Sequence, residues 1–283
     1  MSTKEEVFSL WKDIVCHFSL TLGHVVVTLS FMKTRELVKE LYDILAIDDF
    51  KADISLNGLQ VACSDKEIRK VAFAVDACKD TLEKAAEWGA DMLIVHHGLF
   101  WGKPIAIDGA HYDRVKTCFD NDMGLFAVHI PLDAHPLYGN NAQMALKLGM
   151  SGFDSFGSFR GMPCGFKGEL PYEMGLEEVC FRLGFSYKTG LHILPFGKKM
   201  VKTVGIISGG AGWDVLDAIA EGLDLYITGE IPHEVYHTCE EEGISVIGGG
   251  HYRSEVFGVQ ALARLLKGKY GIETTYFEVD TGL

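Results

Sequence analysis

The sequence predicts an α/β protein made of two similar α/β domains, with mostly parallel or mixed sheets covered by helices. Three observations predict it. Apolar runs of strand length recur at 71–75, 92–95, 125–129, 201–208, 224–228 and 245–247. Stretches with helical spacing of apolar residues separate most of them, and glycine-rich turns join the pieces. That alternation is the pattern of strands joined by helical crossovers. The chain has 283 residues, 48% hydrophobic and 23% charged, which is enough apolar material for a sizeable core.

Residues 1–31 differ from the rest and read as an N-terminal extension or a misassigned start. No Asp, Glu, Lys or Arg occurs between 14 and 32, yet His17, Ser19, Thr21, Gly23, His24, Thr28 and Ser30 interrupt the run. It is marginal for a membrane span, and it lacks the basic region and small-residue cleavage site of a signal peptide. From Met32 an amphipathic helix follows, with Leu37, Leu41 and Leu45 at i, i+4, i+8. The strand at 71–75 leads into a helix at 80–88, and the strand at 92–95 ends in His96-His97-Gly98. A helix near 112–121, the strand at 125–129, a proline-containing loop at 131–136 and a helix at 140–148 complete the first half. Residues 151–171, rich in Gly, Ser, Phe and Pro, are the best candidate boundary.

The rhythm then resumes with strand 201–208, a glycine loop at 209–212, helix 213–221 and strand 224–228. Helix 232–242, strand 245–247, a triple-glycine turn, helix 252–266 and a strand-like ending at 274–279 follow. The expected division is a first domain at 32–157, completed by the C-terminal segment 251–283, and a second at 158–250.

Charge and cysteine content exclude several classes. With 39 acidic and 26 basic side chains the net charge is −13, which argues against generic binding to nucleic acid or anionic membranes. The 7 cysteines are odd in number, widely spaced and without CxxC, which suits reduced thiols in a cytoplasmic protein.

Four places can carry chemistry, and each has an ordinary structural reading beside it. His96-His97 ends a strand, where open α/β sheets bind ligands; neighbouring strand residues face opposite ways, so both serve one site only if the chain bends at Gly98. His129, Asp133 and His135 follow the next strand, and imidazole with carboxylate suits a divalent transition metal, although Asp133 also suits a cap. His251 and Glu255 open a helix four residues apart, as two ligands on one face or as a plain helix start. The segment 233–237 matches HExxH, the zinc-protease motif, but Pro232 puts His233 at the very start of a helix. The loop Ser208-Gly209-Gly210-Ala211-Gly212 lacks the lysine of a phosphate loop and reads as a tight packing turn.

Taken together, Asn57-Gly58-Leu59-Gln60-Val61, His96-His97-Gly98, the stretch 129–149, the ITGE at 227–230 and the GGGHYRSE at 248–255 resemble the Nif-three-like family. Its bacterial members are YbgI-like dinuclear-metal-centre proteins, also called GTP cyclohydrolase type 2 homologues. The resemblance covers roughly 32–283, in the compact form without an inserted domain. It implies two divalent metal ions held by His96, His97, Asp133, His251 and Glu255, with Zn, Fe, Mn, Co and Ni not distinguished. Because these residues come from both halves, the centre is expected in the cleft between the domains. The resemblance also implies a toroidal homohexamer with its metal sites facing inward. A metal-dependent hydrolase of GTP cyclohydrolase type 2 kind would use a metal-bound water on a nucleotide-like small molecule. A non-enzymatic metal carrier or regulatory scaffold is the alternative, and an HExxH protease a more distant one. No residue identifies itself as the general base; His129 is a candidate by position only.

Overall fold

The computed structural model describes residues 32–283. The extension at 1–31 lies outside them. Helix α1 (Thr34–Leu45) buries Leu37, Leu41 and Leu45, the stripe that its spacing predicts. The first sheet takes β1 (Gly58–Val61), β2 (Lys70–Asp76), β3 (Met92–His97) and β4 (Gly124–Ala127), with α2 (Lys79–Trp88) and α3 (Gly109–Asp120) as crossovers. Two helices, α4 (Ile130–Ala134) and α5 (Asn140–Lys147), lead out of it. The second sheet takes β5 (Phe153–Phe159), β6 (Met162–Gly175), β7 (His192–Pro195), β8 (Met200–Ile206), β9 (Leu225–Thr228) and β10 (Ser245–Gly248). Helices α6 (Leu176–Leu183), α7 (Val215–Ala220) and α8 (Tyr236–Glu242) connect these strands. The chain ends with α9 (His251–Ser254), α10 (Val256–Tyr270) and β11 (Glu273–Tyr276), which returns to the first sheet.

The first sheet has the order β1-β4-β3-β2-β11, parallel except for the antiparallel edge strand β1. The second has the order β5-β6-β8-β9-β10-β7, with β8, β9 and β10 parallel and the remaining pairings antiparallel. Alternation along the central strands assigns side chains to different cores. Val71, Phe73, Met92, Ile94 and Phe126 join Val204, Ile206, Leu225 and Ile227 in one cluster that spans both sheets. Their neighbours Ala72, Ala74, Leu93, Val95 and Leu125 pack in a second cluster, and Tyr226 and Val246 in a third. Strands buried on both faces need the nearly continuous apolar runs that the sequence carries.

Three local expectations change. The strand expected at 125–129 ends at Ala127: the His129 N–H donates to the Asn57 side chain (2.7 Å), and the chain turns into α4. The loop expected at 131–136 is largely that helix, whose first turn accepts Pro131 because no backbone donor is needed there. The stretch 151–171, in which the sequence suggested no strand, lies mostly in the antiparallel hairpin of β5 and β6. Arg160 and Gly161 turn that hairpin with positive φ of 52° and 80°, the pairing that matches strand twist. Edge strands β1 and β7 leave no pattern in the sequence because each is short and half exposed, without clear alternation. Among the described residues, no helix is long and apolar enough to cross a membrane.

Replacing Leu41, fully buried in the shared core, by Ala is expected to destabilise the fold by about 2–5 kcal/mol. Leu56→Ala, at a side chain 55% exposed, is expected to change it by no more than about 0.5 kcal/mol. Chemical denaturation midpoints of the two variants check both figures.

Candidate metal centre

The parallel register of the first sheet puts His96 and His97 at the carboxyl end of β3, with Asp76 of β2 directly opposite His97. The two imidazoles lie 4.6 Å apart between ring centroids. Gly98 allows this by closeness rather than by left-handed backbone: a Cβ there would stand 2.3 Å from Gln60 Oε1, which accepts the Leu99 N–H. Asp133 comes from the short helix after β4. It is buried, and its Oδ1 accepts from Asn140 Nδ2 (2.9 Å) and Ser208 Oγ (2.8 Å). Its Oδ2 faces His96 Nε2 at 3.5 Å.

His251 and Glu255 follow β10 of the second sheet. The expected single helix is broken at Glu255, which separates α9 from α10, yet His251 Nε2 still lies 3.3 Å from Glu255 Oε1. Glu255 is 3% exposed and central: Oε1 is also 3.4 Å from His96 Nε2, and Oε2 is 3.3 Å from His97 Nε2. The glycine loop at 209–212 packs against it as a tight turn. A Cβ on Gly209 would stand 2.3 Å from Glu255 Oε1, and Gly209 has φ +67°, so the position needs glycine twice over.

All five residues assigned by the resemblance therefore come together. A sixth joins them. One ring nitrogen each of His96, His97 and His129 lie within 4.8 Å of one another, as do ligand atoms of His97, His251 and Glu255. HExxH does not take part. His233, Glu234 and His237 are exposed, and a 3-10 turn at His233–Val235 precedes α8, so the two histidines do not share a helix face.

Each imidazole is anchored from behind. His96 Nδ1 donates to the Val128 carbonyl (2.9 Å), and His97 Nδ1 pairs with Asp76 Oδ1 (2.8 Å). His129 Nδ1 lies 3.0 Å from Asp53 Oδ1, and His251 Nδ1 lies 2.5 Å from Glu230 Oε1. A carbonyl and an ionised carboxylate can only accept, so Nδ1 keeps its proton and Nε2 is the nitrogen each ring turns toward the centre. Asp76, Asp53 and Glu230 carried no signal in the sequence, because strand register and folding bring them to the rings.

Electrostatics shows how strongly the buried carboxylates draw positive charge. Burial opposes charge on His96, but Asp133 and Glu255 overcome it and hold the ring at about 10. Burial likewise opposes charge on His251, yet Glu255 and Glu230 raise it to about 9. Glu255 is held well below the usual carboxylate range: burial resists, and His96, His97 and His251 outweigh it. Protons on the rings supply positive charge that the carboxylates demand. Meanwhile His96 Nε2 and Glu255 Oε2, both buried, have no hydrogen-bond partner. Imidazole and carboxylate donors with such orphaned atoms fit divalent transition cations. These His and Glu groups can thus hold metal.

A cavity of about 220 Å³ opens beside Glu255 and His251, walled by Phe159, Ile207 and Ala211 and ending at Asp214. Burial, with Asp217 nearby, pushes Asp214 up to about 6.

The Duf34/NIF3 (NGG1p interacting factor 3) family model matches residues 32–282, and the chain belongs to that family. A Deinococcus radiodurans protein called GTP cyclohydrolase 1 type 2 homolog is 45% identical over 250 residues, covering 88% of this chain and 94% of the relative. A Treponema pallidum protein of the same name is 41% identical, covering 89% of this chain and 100% of the relative. Among solved structures, a Thermus thermophilus protein has 41% identity and a TM-score of 0.79, covering 89% of this chain and 100% of that one. The protein ybgI matches with 32% identity, the same TM-score and the same coverage.

Two outcomes are expected. Asp76→Asn should weaken metal retention by about 10- to 100-fold while leaving the ligand residues in place, as read by competition with a chelator. For Asp214, the folded value near 6 exceeds the ordinary 3.8, so its stabilising contribution is complete below pH 3.8 and is lost as pH rises through about 6. Asp214→Asn should therefore gain stability over wild type between pH 4 and 6.5, levelling at about 1 kcal/mol after allowing for solvent screening. Thermal unfolding across that pH range measures it.

Proposed function

We propose that this member of the Duf34/NIF3 family is a metal-dependent hydrolase of GTP cyclohydrolase type 2 kind. His96, His97, Asp133, His251 and Glu255 would hold two divalent cations. The observation that carries the reading is Glu255, a buried carboxylate with three imidazole Nε2 atoms at 3.3–3.4 Å and no hydrogen-bond donor on Oε2. Its two oxygens face different rings, the arrangement suited to serving two cations at once. When bound, such cations acidify water to near neutral pH and polarise the group under attack. The name shared by the Deinococcus and Treponema relatives points to a nucleotide as the substrate class.

The chain's own residues have separate tasks in this reading. Val128, Asp76 and Glu230 hold the Nδ1 protons of His96, His97 and His251, so that these rings present Nε2 without reorganisation. Asn140 and Ser208 fix Asp133 through Oδ1 and leave Oδ2 toward the centre. His129 is backed by Asp53, whose carboxyl is lowered to about 2: burial opposes this, while His129 and Asn57 outweigh it. A ring so anchored can accept a proton at Nε2, which makes His129 the candidate general base. Phe159, Ile207 and Ala211 give the adjoining cavity apolar walls against which a substrate's ring could pack. The reading includes a cytoplasmic toroidal homohexamer with the sites facing inward; light scattering on the purified protein checks its six-chain mass.

Elemental analysis of protein purified without chelator is expected to find about two metals per chain, falling sharply in Glu255→Ala. His97→Ala and Asp133→Ala should lose metal-dependent turnover by at least about 100-fold with the fold intact by circular dichroism. His129→Ala should lower kcat while keeping its metal. Exchangeable metal without turnover across a nucleotide panel would instead favour a carrier.

A further inference from the structure

A second cavity, about 540 Å³, lies on the other side of the Asp53–His129 pair. Lys51, Lys103 and Arg160 all line it. They come from three separate segments: the turn after α1, the loop after β3 and the tip of the β5–β6 hairpin. All three are exposed, and none makes an ion pair with the described residues. In a chain of net charge −13, three uncompensated cations around one hollow repel one another and are not balanced from within. Asp53 is the acidic residue on the wall, and its carboxylate is already committed to His129, Asn57 Nδ2 and the backbone N–H of Ser55.

The backbone around these cations is specialised. Arg160 adopts φ +52°, unfavourable for a residue with a side chain, at the hairpin tip. Its guanidinium lies 5.4 Å from the Phe159 ring centroid, a cation–π contact that holds it at the junction of the two cavities. Phe159 lines the cavity beside the metal ligands, whereas Arg160 lines the cationic one. Gly102 has φ +69°, and a Cβ there would stand 3.0 Å from the Ile54 carbonyl oxygen, so the loop before Lys103 closes tightly on the segment after Lys51.

We propose that Lys51, Lys103 and Arg160 form an anion subsite that seats the phosphate or polyphosphate tail of a substrate whose reacting head occupies the cavity beside Glu255. This rests on the reading of that cavity as a substrate site. The head cavity, about 220 Å³, is smaller than the roughly 300–1,000 Å³ typical of pockets that enclose a whole ligand, so it holds one part of a molecule and leaves a tail outside. The tail meets Arg160 first, past Phe159, and then the two lysines. Remote phosphate binding of this kind positions the head against the catalytic groups.

Tripolyphosphate is the probe, titrated calorimetrically into the metal-loaded full chain, into Glu255→Ala and into the triple variant Lys51→Ala/Lys103→Ala/Arg160→Ala. Wild type should bind it saturably, and the metal-depleted Glu255→Ala should still bind it saturably, with affinity falling as salt rises. The triple variant should bind about tenfold more weakly or worse while keeping the wild-type metal content. A charge-conserving variant, Lys51→Arg/Lys103→Arg/Arg160→Lys, should restore most of the affinity. Absence of saturable binding by wild type would overturn the proposal, and so would a loss confined to Glu255→Ala, because the anion would then be read by the metals alone. Metal content is recorded for the same samples, so failure of the dinuclear centre shows separately from failure of the anion subsite.

Discussion

A carboxylate removed from water must be given positive charge, and Glu255 is the point at which this protein meets that demand. At 3% exposure its ionised form is tolerable only because His96, His97 and His251 converge on it. The glycine at 209, the break between α9 and α10, and the end of β3 are all shaped by the need to bring backbone and imidazole this close. Removing the histidines while keeping Glu255 would strand a charge in the core, whereas divalent cations satisfy the same demand more fully than ring protons do.

The imidazoles in turn depend on partners behind them, and these partners are products of strand register. Asp76 reaches His97 because β2 and β3 pair in parallel with those two residues opposite each other. The Val128 carbonyl reaches His96 because β4 runs on the other side of β3, and its chain leaves the sheet at that residue. A shift of one residue in either pairing would turn these groups to the wrong face. The precision of the site is thus inherited from two parallel strand pairs buried on both faces.

Asparagines connect this first sheet to the second. Asn140 donates to Asp133 and accepts from the Gly258 N–H of α10, while Asn141 accepts from the Ser208 N–H and donates to the Cys164 carbonyl. Both are fully buried. Buried amides satisfied on several sides act as rigid cross-links, so the ligands carried by the two sheets are held at a set spacing. On the opposite side of His129, the positive hollow gives the otherwise acidic surface a local preference for anions.

How much of this was legible depends on whether the signal was local. Periodicity placed the strands at 71–75, 92–95 and 245–247, since burial on two faces leaves a run of apolar residues whatever the topology. It failed at 58–61 and 192–195, where edge strands bury too little to imprint a pattern, and at 153–175, where turn residues hid a hairpin. The pair His96-His97, the spacing of His251 and Glu255, and the tight glycine turn at 209–212 stand out in the chain because their geometry is set within a few residues. Asp53, Asp76, Glu230 and the meeting of Lys51, Lys103 and Arg160 do not, because long-range pairing brings them to the site. The sequence by itself determined the α/β class, the family and the residues with metal-binding chemistry, all properties of local composition and short spacing. Only the tertiary structure decided which nitrogen each histidine presents, what holds it there and where uncompensated positive charge gathers, since these depend on contacts between segments far apart in the chain.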